Sequence, residues 1–239
     1  MADHTPTEFT IHVTEVVQET PLDRTLRLQV ADAEVAAFAF EPGQYVCVWD
    51  PAVEEGPRRY FSISGGDPRT GTFQVTIRKS GEDEPPFYGS PAGLTLRTHA
   101  PAGTFVLAYE PGDELILIGG GSGITPFRSY VEALRRMNDA PRTTLVQSVR
   151  DPVHLVFQPE LAAWAAEGDW LRYEPVVTGD APDWDGRRGR LDQAALEALI
   201  AQPERTVLCA CGPSAFVDAV LEAAQAAGVP PERCRREGW

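Results

Sequence analysis

The chain has 239 residues, of which 43% are hydrophobic and 23% charged, and its formal net charge is −14. These values describe a globular protein of one large or two medium domains, and they exclude non-specific nucleic-acid binding, which needs a basic face. No apolar run approaches the roughly 20 residues of a membrane helix, and residues 1–10 lack the pattern of an export signal. We therefore expect a cytoplasmic protein without a membrane span.

The first half of the chain, up to residue 110, consists of short β-forming runs separated by turn signals rich in Gly, Pro and Asp. Closely spaced strands of this kind predict a small antiparallel β-barrel or sandwich. The predicted strands are Phe9–Val17, Thr25–Val30, Gln44–Trp49, Tyr60–Ser64, Phe73–Arg78, Leu94–Thr98 and Thr104–Leu107.

One of these strands, within Arg58–Ser64, carries residues suited to a flat, phosphorylated cofactor. Strand alternation places Arg59, Phe61 and Ile63 on one face, and the side chains between them on the other. An arginine can hold a phosphate bidentately, an aromatic ring can stack on a ring system, and a hydroxyl can bond a ring nitrogen. The residues alone are equally consistent with a polar strand that ends in a charge.

The second half alternates apolar strands with helical stretches, beginning with the continuous apolar run Leu115–Ile118. Such alternation predicts a doubly wound α/β domain with a parallel sheet. We assign residues 1–110 to the barrel and 111–239 to the α/β domain, with 110–113 as the hinge. Further strands are predicted at Thr143–Val149, Trp170–Val177 and Thr206–Ala210, and helices at Pro126–Met137, Pro159–Ala166, Asp192–Ala201 and Ser214–Ala227.

A glycine-rich loop, Gly119–Pro126, joins the first of these strands to the first helix. Glycines let the backbone turn sharply and approach a ligand closely, and free N–H groups at a helix N-terminus favour a pyrophosphate. The loop therefore predicts a nucleotide site, with a tight structural turn as the alternative. The residues expected to bind are Gly121, Ser122, Gly123, Thr125 and Pro126.

A second loop, Cys209–Ser214, also joins an apolar strand to a helix. Ligands of doubly wound sheets bind at the carboxyl ends of the strands, so both loops are expected to line one pocket. Cys211, Gly212 and Pro213 are its candidate site residues, although Cys211 taken alone is more typical of a buried structural thiol. Four scattered cysteines do not have the spacing of a zinc site or an iron–sulfur cluster, so no metal is expected.

Together these motifs resemble the ferredoxin-NADP reductase superfamily. Its flavin motif Arg-x-Tyr/Phe-Ser is matched by Arg59, Phe61 and Ser62, and its nucleotide motif Gly-x-Gly-x-x-Pro by Gly121, Gly123 and Pro126. The family's Cys-Gly-Pro motif is matched at 211–213 and its Pro-x-Gly-x-Phe segment at 101–105. The resemblance spans nearly the whole chain and implies a flavin-binding barrel followed by an NAD(P)-binding domain.

The resemblance also implies roles for single residues. Arg59 would bind the flavin phosphate, Phe61 would flank the flavin ring and Ser62 would reach its N5, while Tyr60, Ile63 and Ser64 complete the flavin strand. Thr125 and Cys211 would line the nicotinamide position. Relatives often end in Glu-x-aromatic, as Glu237 and Trp239 do here, and Trp239 would cover the flavin ring. Ser62, Cys211 and Glu237 are the expected catalytic residues.

The choice of cofactors is partly open. Residues 80–90 lack the Gly-x-x-Ser that in relatives binds the flavin pyrophosphate, so FMN is an alternative to FAD; Gly89 and Ser90 are possible substitutes. Ser148 and Arg150 follow the second strand, where a 2′-phosphate would lie, and the arginines at 187, 188 and 190 favour NADPH over NADH. Against this, Thr178 and Gly179 stand where NADPH-preferring relatives often have Arg.

The implied function is hydride transfer from NAD(P)H to a bound flavin and onward electron transfer to a partner protein. That partner would be a small acidic redox protein such as ferredoxin or flavodoxin, or an oxygenase component. Two alternatives stay open at this point: a reductase of free flavin, and a non-catalytic nucleotide-binding regulatory subunit. Fold-level likeness alone does not choose among them.

Overall fold

A computed structural model describes residues 7–237 of the chain. The chain divides between Val106 and Leu107 into two compact units, each with its own sheet and core. This division lies four residues before the predicted boundary at 110/111.

The first unit is a closed six-stranded antiparallel barrel, as predicted. Its strands follow one another around the barrel in the order β1-β2-β5-β4-β3-β6, and β6 pairs with β1 to close it. The strands are β1 (Glu8–Gln18), β2 (Asp23–Val30), β3 (Tyr45–Trp49), β4 (Arg59–Asp67), β5 (Thr72–Arg78) and β6 (Thr95–His99).

Alternating apolar residues make these strands and fill the barrel. In β1, Phe9, Ile11 and Val13 point inward and are almost fully buried, while the residues between them face solvent. Phe38, from the segment between β2 and β3, enters the interior and stacks on Phe73 with ring centroids 5.1 Å apart. Phe38 is thus part of the barrel core although it does not belong to a strand.

The second unit is the predicted α/β domain, with six parallel strands and four helices. The strands are β7 (Glu114–Gly120), β8 (Thr143–Val149), β9 (Leu171–Val177), β10 (Arg187–Arg188), β11 (Thr206–Cys211) and β12 (Cys234–Glu237). The helices are α1 (Ile124–Leu134), α2 (Gln158–Ala165), α3 (Gln193–Glu197) and α4 (Ser214–Ala226).

The strand order β10-β9-β8-β7-β11-β12 places β7 in the middle of the sheet. From β7 the chain winds outward through β8 and β9, and it then crosses back to β11 on the other side of β7. The order therefore reverses between β7 and β11, which is the position where open α/β sheets bind their ligands.

Both faces of this sheet are covered. Ile116 and Ile118 of β7 share a buried cluster with side chains of α3 and α4. Leu115 and Leu117 point to the opposite face, where α1 packs on β7. Within residues 7–237, no helix is both long enough and apolar enough to cross a membrane.

Several predicted boundaries differ from the structure. The segment Thr104–Leu107, predicted as a strand, does not form a strand. The chain pairs with the barrel just before this segment, in an isolated bridge between Ala102 and Tyr45. The amide of Leu107 instead donates to the Tyr130 hydroxyl of the second unit at 3.1 Å. Helix α1 begins two residues earlier than predicted, and α3 ends at Glu197, four residues earlier.

The end signals of two helices were correctly predicted. Asp192 caps α3, since its carboxylate accepts the Ala195 amide at 2.9 Å. Gly228 follows α4 with a φ of 96°, as suits a residue that ends a helix. The short strands β10 and β12 were not predicted, because neither has an apolar pattern of its own.

The turn 110–113, predicted as the hinge, belongs to the second unit and is tied to its sheet by Asp113. This carboxylate accepts the Glu110 amide at 2.8 Å and pairs with Arg205 and Arg233 at 3.3 and 3.2 Å. The Glu110 amide, with help from Arg233 and Arg205, lowers the pKa of Asp113, while burial opposes this effect. Asp113 thus links the starts of β7, β11 and β12.

We expect Asp113→Ala to lower the free energy of unfolding by about 1–3 kcal/mol, because two arginines and a buried amide lose a charged acceptor. The stability that Asp113 contributes is present above its ordinary pKa of 3.8 and is lost as the pH falls below that value. Urea unfolding between pH 3 and pH 7 measures both effects. Glu167→Gln, which breaks the exposed pair with Arg135, is the control and should change little.

Candidate functional site

On the barrel, β4 presents a cation and an unpartnered hydroxyl. Arg59 is exposed, and its one hydrogen bond, from Nη1 to the Arg58 carbonyl at 3.0 Å, leaves its other donors free. Ser62 is half-buried, and its hydroxyl bonds no other described residue. Both groups can therefore bind a ligand without breaking a bond that the fold needs.

The two aromatic residues of the motif differ in exposure. Phe61 is half-buried, packs against the barrel core and meets the Phe87 ring edge-on at 6.3 Å. Tyr60 is 69% exposed and meets the ring of Tyr45 at 5.7 Å. Phe61 is thus held in one orientation by its neighbours, while Tyr60 offers most of its ring to solvent.

The last two residues of the predicted flavin strand are inside the barrel. The pairing of β4 with β5 shifts register between Ile63 and Gly65, and this bulge interrupts the alternation of side chains. Ile63 and Ser64 are both fully buried, and the Ser64 hydroxyl donates to the Gln74 carbonyl. These side chains offer no surface to a ligand, so the function proposed below does not use them.

The segment 80–90 contains no helix, so it offers no helix N-terminus to a pyrophosphate. It consists of turns, and it is anchored by the buried Tyr88, whose ring faces the cations of Arg24 and Lys79. Ser90 is buried as well, and Gly89 is exposed. Three exposed acidic residues occupy the tip at 82–84.

In the second unit, the two predicted loops lie directly against each other. They follow β7 and β11, which pair so that Gly119 faces Cys211. A Cβ on Gly123 would lie 2.2 Å from the Cys211 carbonyl oxygen, which no real side chain tolerates. Gly123 is therefore required by the packing of the two loops.

Gly121, in contrast to Gly123, has open space where a side chain would lie. Its φ is 57°, and a Cβ there would have no atom within 4 Å, so the loop leaves open space at this position. The helices that follow the two loops, α1 and α4, begin without a side-chain cap. The short 3-10 turn Gly121–Gly123 runs directly into α1, so the Ile124 amide already donates to the carbonyls of Gly121 and Ser122. The backbone positions open to an anion at the reversal point of the sheet are therefore those of this glycine turn and the first two residues of α4.

The other predicted residues of the glycine loop support its shape. The buried Thr125 donates through its hydroxyl to the Ser122 carbonyl at 3.0 Å. Pro126 lies in the first turn of α1, where the absence of an N–H costs nothing. Ser122 itself is half-buried, and its hydroxyl bonds no described residue. After the second loop, Pro213 is exposed.

Cys211 is fully buried, so the prediction of a cleft cysteine is not supported. Burial raises the pKa of its thiol, and the nearby Glu237 raises it further, so the sulfur stays neutral. Cys211 and Glu237 face each other because β11 and β12 pair in that register. Burial also raises the pKa of Glu237 to about 7, and its Oε2 has no hydrogen-bond partner.

The arginines expected near a 2′-phosphate differ in whether their guanidinium groups are already hydrogen-bonded. Ser148 lies within β8, the strand beside β7, and is buried, whereas Arg150 follows β8 and its exposed guanidinium has no partner among described residues. However, Arg187 donates to the Ala195 carbonyl at 2.9 Å, and Arg188 donates to the carbonyls of residues 182 and 184. These two guanidinium groups hold the local chain, which weakens the argument for NADPH.

Trp239, expected to cover the flavin ring, lies outside the described residues.

Asp151, which directly follows Arg150, was not identified from the sequence. An acidic residue just after the second strand of a nucleotide-binding unit is the signal that could have found it.

Comparison with known proteins gives a consistent result. Residues 117–222 match the family model described as the oxidoreductase NAD-binding domain. The chain is 31% identical to sulfhydrogenase 1 subunit gamma of Pyrococcus furiosus, over 93% of this chain and 76% of that one. It is 32% identical to ferredoxin–NADP reductase B of Sorangium cellulosum, over 71% of this chain and 69% of that one.

The chain belongs to the ferredoxin-NADP reductase family. A solved structure of the Amycolatopsis cytochrome P450 reductase superposes with a TM-score of 0.83 at 26% identity, covering 100% of this chain and 73% of that one. Membership confirms the predicted enzyme class, an NAD(P)H-dependent flavoprotein reductase. Other curated relatives are longer, and the chain spans 59% of one and 63% of another.

For this family member we expect Gly123→Ala to separate the two loops, because the new methyl group overlaps the Cys211 carbonyl. The cost is about 1–3 kcal/mol of unfolding free energy, together with weaker binding of NADH and NADPH. Thermal unfolding and calorimetric titration measure the two effects. Gly121→Asn is the control for stability alone, because Asn tolerates this φ and the space is open. Equal stability of both variants would contradict the packing argument.

Proposed function

We propose that this chain takes a hydride from NAD(P)H on its second unit, passes it to FAD held by the barrel, and delivers electrons to a separate redox protein. The observation that carries this proposal is the pairing of β7 with β11, which gathers two glycine loops and two uncapped helix ends at the reversal point of the sheet. Its first requirement is that each unit can bind its cofactor.

On the barrel, β4 has groups that fit FAD. The free donors of Arg59 suit a phosphate, the half-buried ring of Phe61 suits the flank of a flat ring system, and the unpartnered Ser62 hydroxyl can donate to a ring nitrogen. When bound, FAD accepts a hydride and releases electrons one or two at a time. The protein's own contribution is to place and orient the ring.

On the second unit, the backbone of the glycine turn Gly121–Gly123 and the open space at Gly121 suit a dinucleotide pyrophosphate. Thr125 and the backbone around Cys211 stand beside this position. Because Cys211 is buried and neutral, we assign it a packing role and no part in proton transfer. Among the three predicted catalytic residues, Ser62 and Glu237 remain proposals.

Glu237 can hold a proton near neutral pH. Its carboxyl is largely removed from water, and no cation neutralises it, so burial raises its pKa to about 7. We propose that the neutral form is the one required next to the uncharged Cys211 thiol.

The electron acceptor is a protein supplied in trans. Family relatives include a ferredoxin–NADP reductase and a reductase named for cytochrome P450, both of which act with another redox protein by name. The net charge of −14 would repel a strongly acidic carrier at low salt. We therefore favour an oxygenase component or a weakly charged ferredoxin over a strongly acidic one.

A reductase of free flavin is the second candidate, and one observation favours it. The segment 80–90 offers no helix N-terminus to a pyrophosphate, and its tip is acidic at 82–84. A flavin held mainly through Arg59 and its ring would exchange more readily than one held along its full length. Retention of flavin separates the two candidates.

The proposed function predicts that the purified protein is yellow after gel filtration, that anaerobic NADH or NADPH bleaches it, and that a [2Fe–2S] ferredoxin plus cytochrome c reoxidises it. Arg59→Ala should lower bound flavin several-fold, because a phosphate contact is lost. Arg69→Ala, in an exposed hairpin, is the control. Loss of flavin with activity only on added flavin would favour the second candidate. A colourless protein that binds NADH without any reductase activity would refute both.

A separate prediction concerns Glu237→Gln, which makes the neutral form permanent. In the native protein, the stability due to this group should be greatest near pH 4.5 and should fall as the pH rises to about 7, because only the folded state holds the proton in that window. The variant should lose this slope, and the pH profile of kcat should lose its transition near 7. Glu232→Gln, an exposed neighbour, is the control. An unchanged kcat profile would remove Glu237 from the mechanism.

A further inference from the structure

A cavity of about 260 Å³ opens at the edge of the second unit's sheet where the strands begin. Its walls are formed by the starts of β7, β8 and β9 and by residues 198–201, which follow α3. Because the strands are parallel, the glycine loop after β7 lies at the opposite edge. β7 runs from Glu114 to Gly120, and at about 3.3 Å per residue it separates the two places by roughly 20 Å. A ligand in this cavity would therefore not compete with a dinucleotide.

Thr144 presents a hydroxyl to this cavity. The residue is 6% exposed, and its side chain points to the face of the sheet that α3 and α4 cover, because Val146, two residues later, belongs to their buried cluster. Its hydroxyl bonds no described residue, whereas the neighbouring Thr143 hydroxyl donates to the Pro141 carbonyl at 2.9 Å. The Thr144 oxygen is not fully enclosed, so its accessible surface lies in the cavity that the residue lines. A polar group that is buried on its other sides needs a partner there.

Charged groups of both signs line the same cavity. The exposed side chains of Arg142 and Asp169 and the half-buried Glu114 have no hydrogen bond or ion pair with a described residue. Arg172 also lines the cavity, but its Nε donates to the Glu174 carboxylate at 2.6 Å, so this pair is balanced within the protein. Among the described residues, the cavity thus has one free cation and two free carboxylates. A simple anion would meet the carboxylates and a simple cation would meet the guanidinium, so a ligand that carries both charges fits best.

The remaining wall of the cavity is apolar. It consists of Leu199 and Ile200, which are 6% and 9% exposed and belong to the core cluster under α3 and α4, with Ala198 and Ala201 beside them. These four residues are called the apolar wall below. The wall suits a short aliphatic chain, because apolar surface that leaves water there stabilises the complex. The volume of about 260 Å³ is below the roughly 300–1,000 Å³ of pockets for drug-sized ligands, which limits the occupant to a small metabolite.

We propose that this cavity binds a free α-amino acid with an aliphatic side chain. The carboxylate of the ligand accepts hydrogen bonds from the Arg142 guanidinium and the Thr144 hydroxyl. Its ammonium group donates to Glu114 and Asp169, and its side chain packs on the apolar wall. Every unpaired polar group of the cavity then has a partner of the right kind. The inference does not depend on the proposed function, since the cavity and the glycine loops lie at opposite edges of the sheet.

The test is a calorimetric titration of the full chain with L-leucine and with two analogues that each lack one charge, 4-methylpentanoate and 3-methylbutylamine. L-leucine should bind and raise Tm, because a ligand that binds only the folded state stabilises it. Each analogue should bind about tenfold more weakly or worse, since a charged contact is lost.

Variants of the cavity locate the site. Thr144→Val keeps the shape of the side chain and removes the hydroxyl, and Arg142→Gln removes the cation. Each should weaken the binding of L-leucine by about tenfold. Arg235→Gln removes an exposed cation of β12 outside the cavity and is the matched control, which should leave the affinity unchanged.

Four results would overturn the inference. One is the absence of both heat and a rise in Tm with L-leucine at about 10 mM. Another is an affinity that Thr144→Val and Arg142→Gln leave unchanged, which would place the ligand elsewhere. Displacement of L-leucine by NADH would place it at the glycine loops. Equally tight binding of 4-methylpentanoate would show that Glu114 and Asp169 take no part and that the occupant is a simple acid.

Discussion

The contact between the glycine loop after β7 and the loop after β11 is the constraint on which the second unit depends. The carbonyl of Cys211 occupies the place where a side chain at position 123 would lie. Because the loops meet without side chains between them, α1 and α4 begin side by side at the reversal point of the sheet. Neither the turn Gly121–Gly123 before α1 nor α4 itself begins with a side-chain cap. The strand pairing thus brings two glycine loops together at the reversal point of the sheet.

The barrel obeys a different rule, in which the bulge in β4 decides which motif residues can meet a ligand. Before the bulge, Arg59 and Ser62 keep free polar groups at the surface or near it. At the bulge itself, Ile63 and Ser64 are both enclosed, and the Ser64 hydroxyl is used by the fold. The motif is therefore divided into a part with free polar groups and a barrel-forming part, although its residues are consecutive.

Buried charge links stability to chemistry in the second unit. Asp113 is buried with an amide and two arginines, so its charged form is favoured, whereas Glu237 is buried without a cation, so its neutral form is favoured. Asp113 holds the starts of β7, β11 and β12 together. Glu237 is the last residue of β12 and lies beside Cys211, where burial favours its protonated form near neutral pH.

The sequence by itself determined the class of each unit, most of the strands, the cap at Asp192 and both glycine loops, because these depend on local patterns of apolar residues and turn formers. It did not reveal β12, which has no apolar periodicity and exists only because β11 offers it an edge. Tertiary structure alone decided that Cys211 is buried, that Ser64 turns inward and that Arg187 and Arg188 bind carbonyls. Those outcomes depend on which distant backbone atoms lie within reach, and no pattern of neighbouring residues encodes that distance.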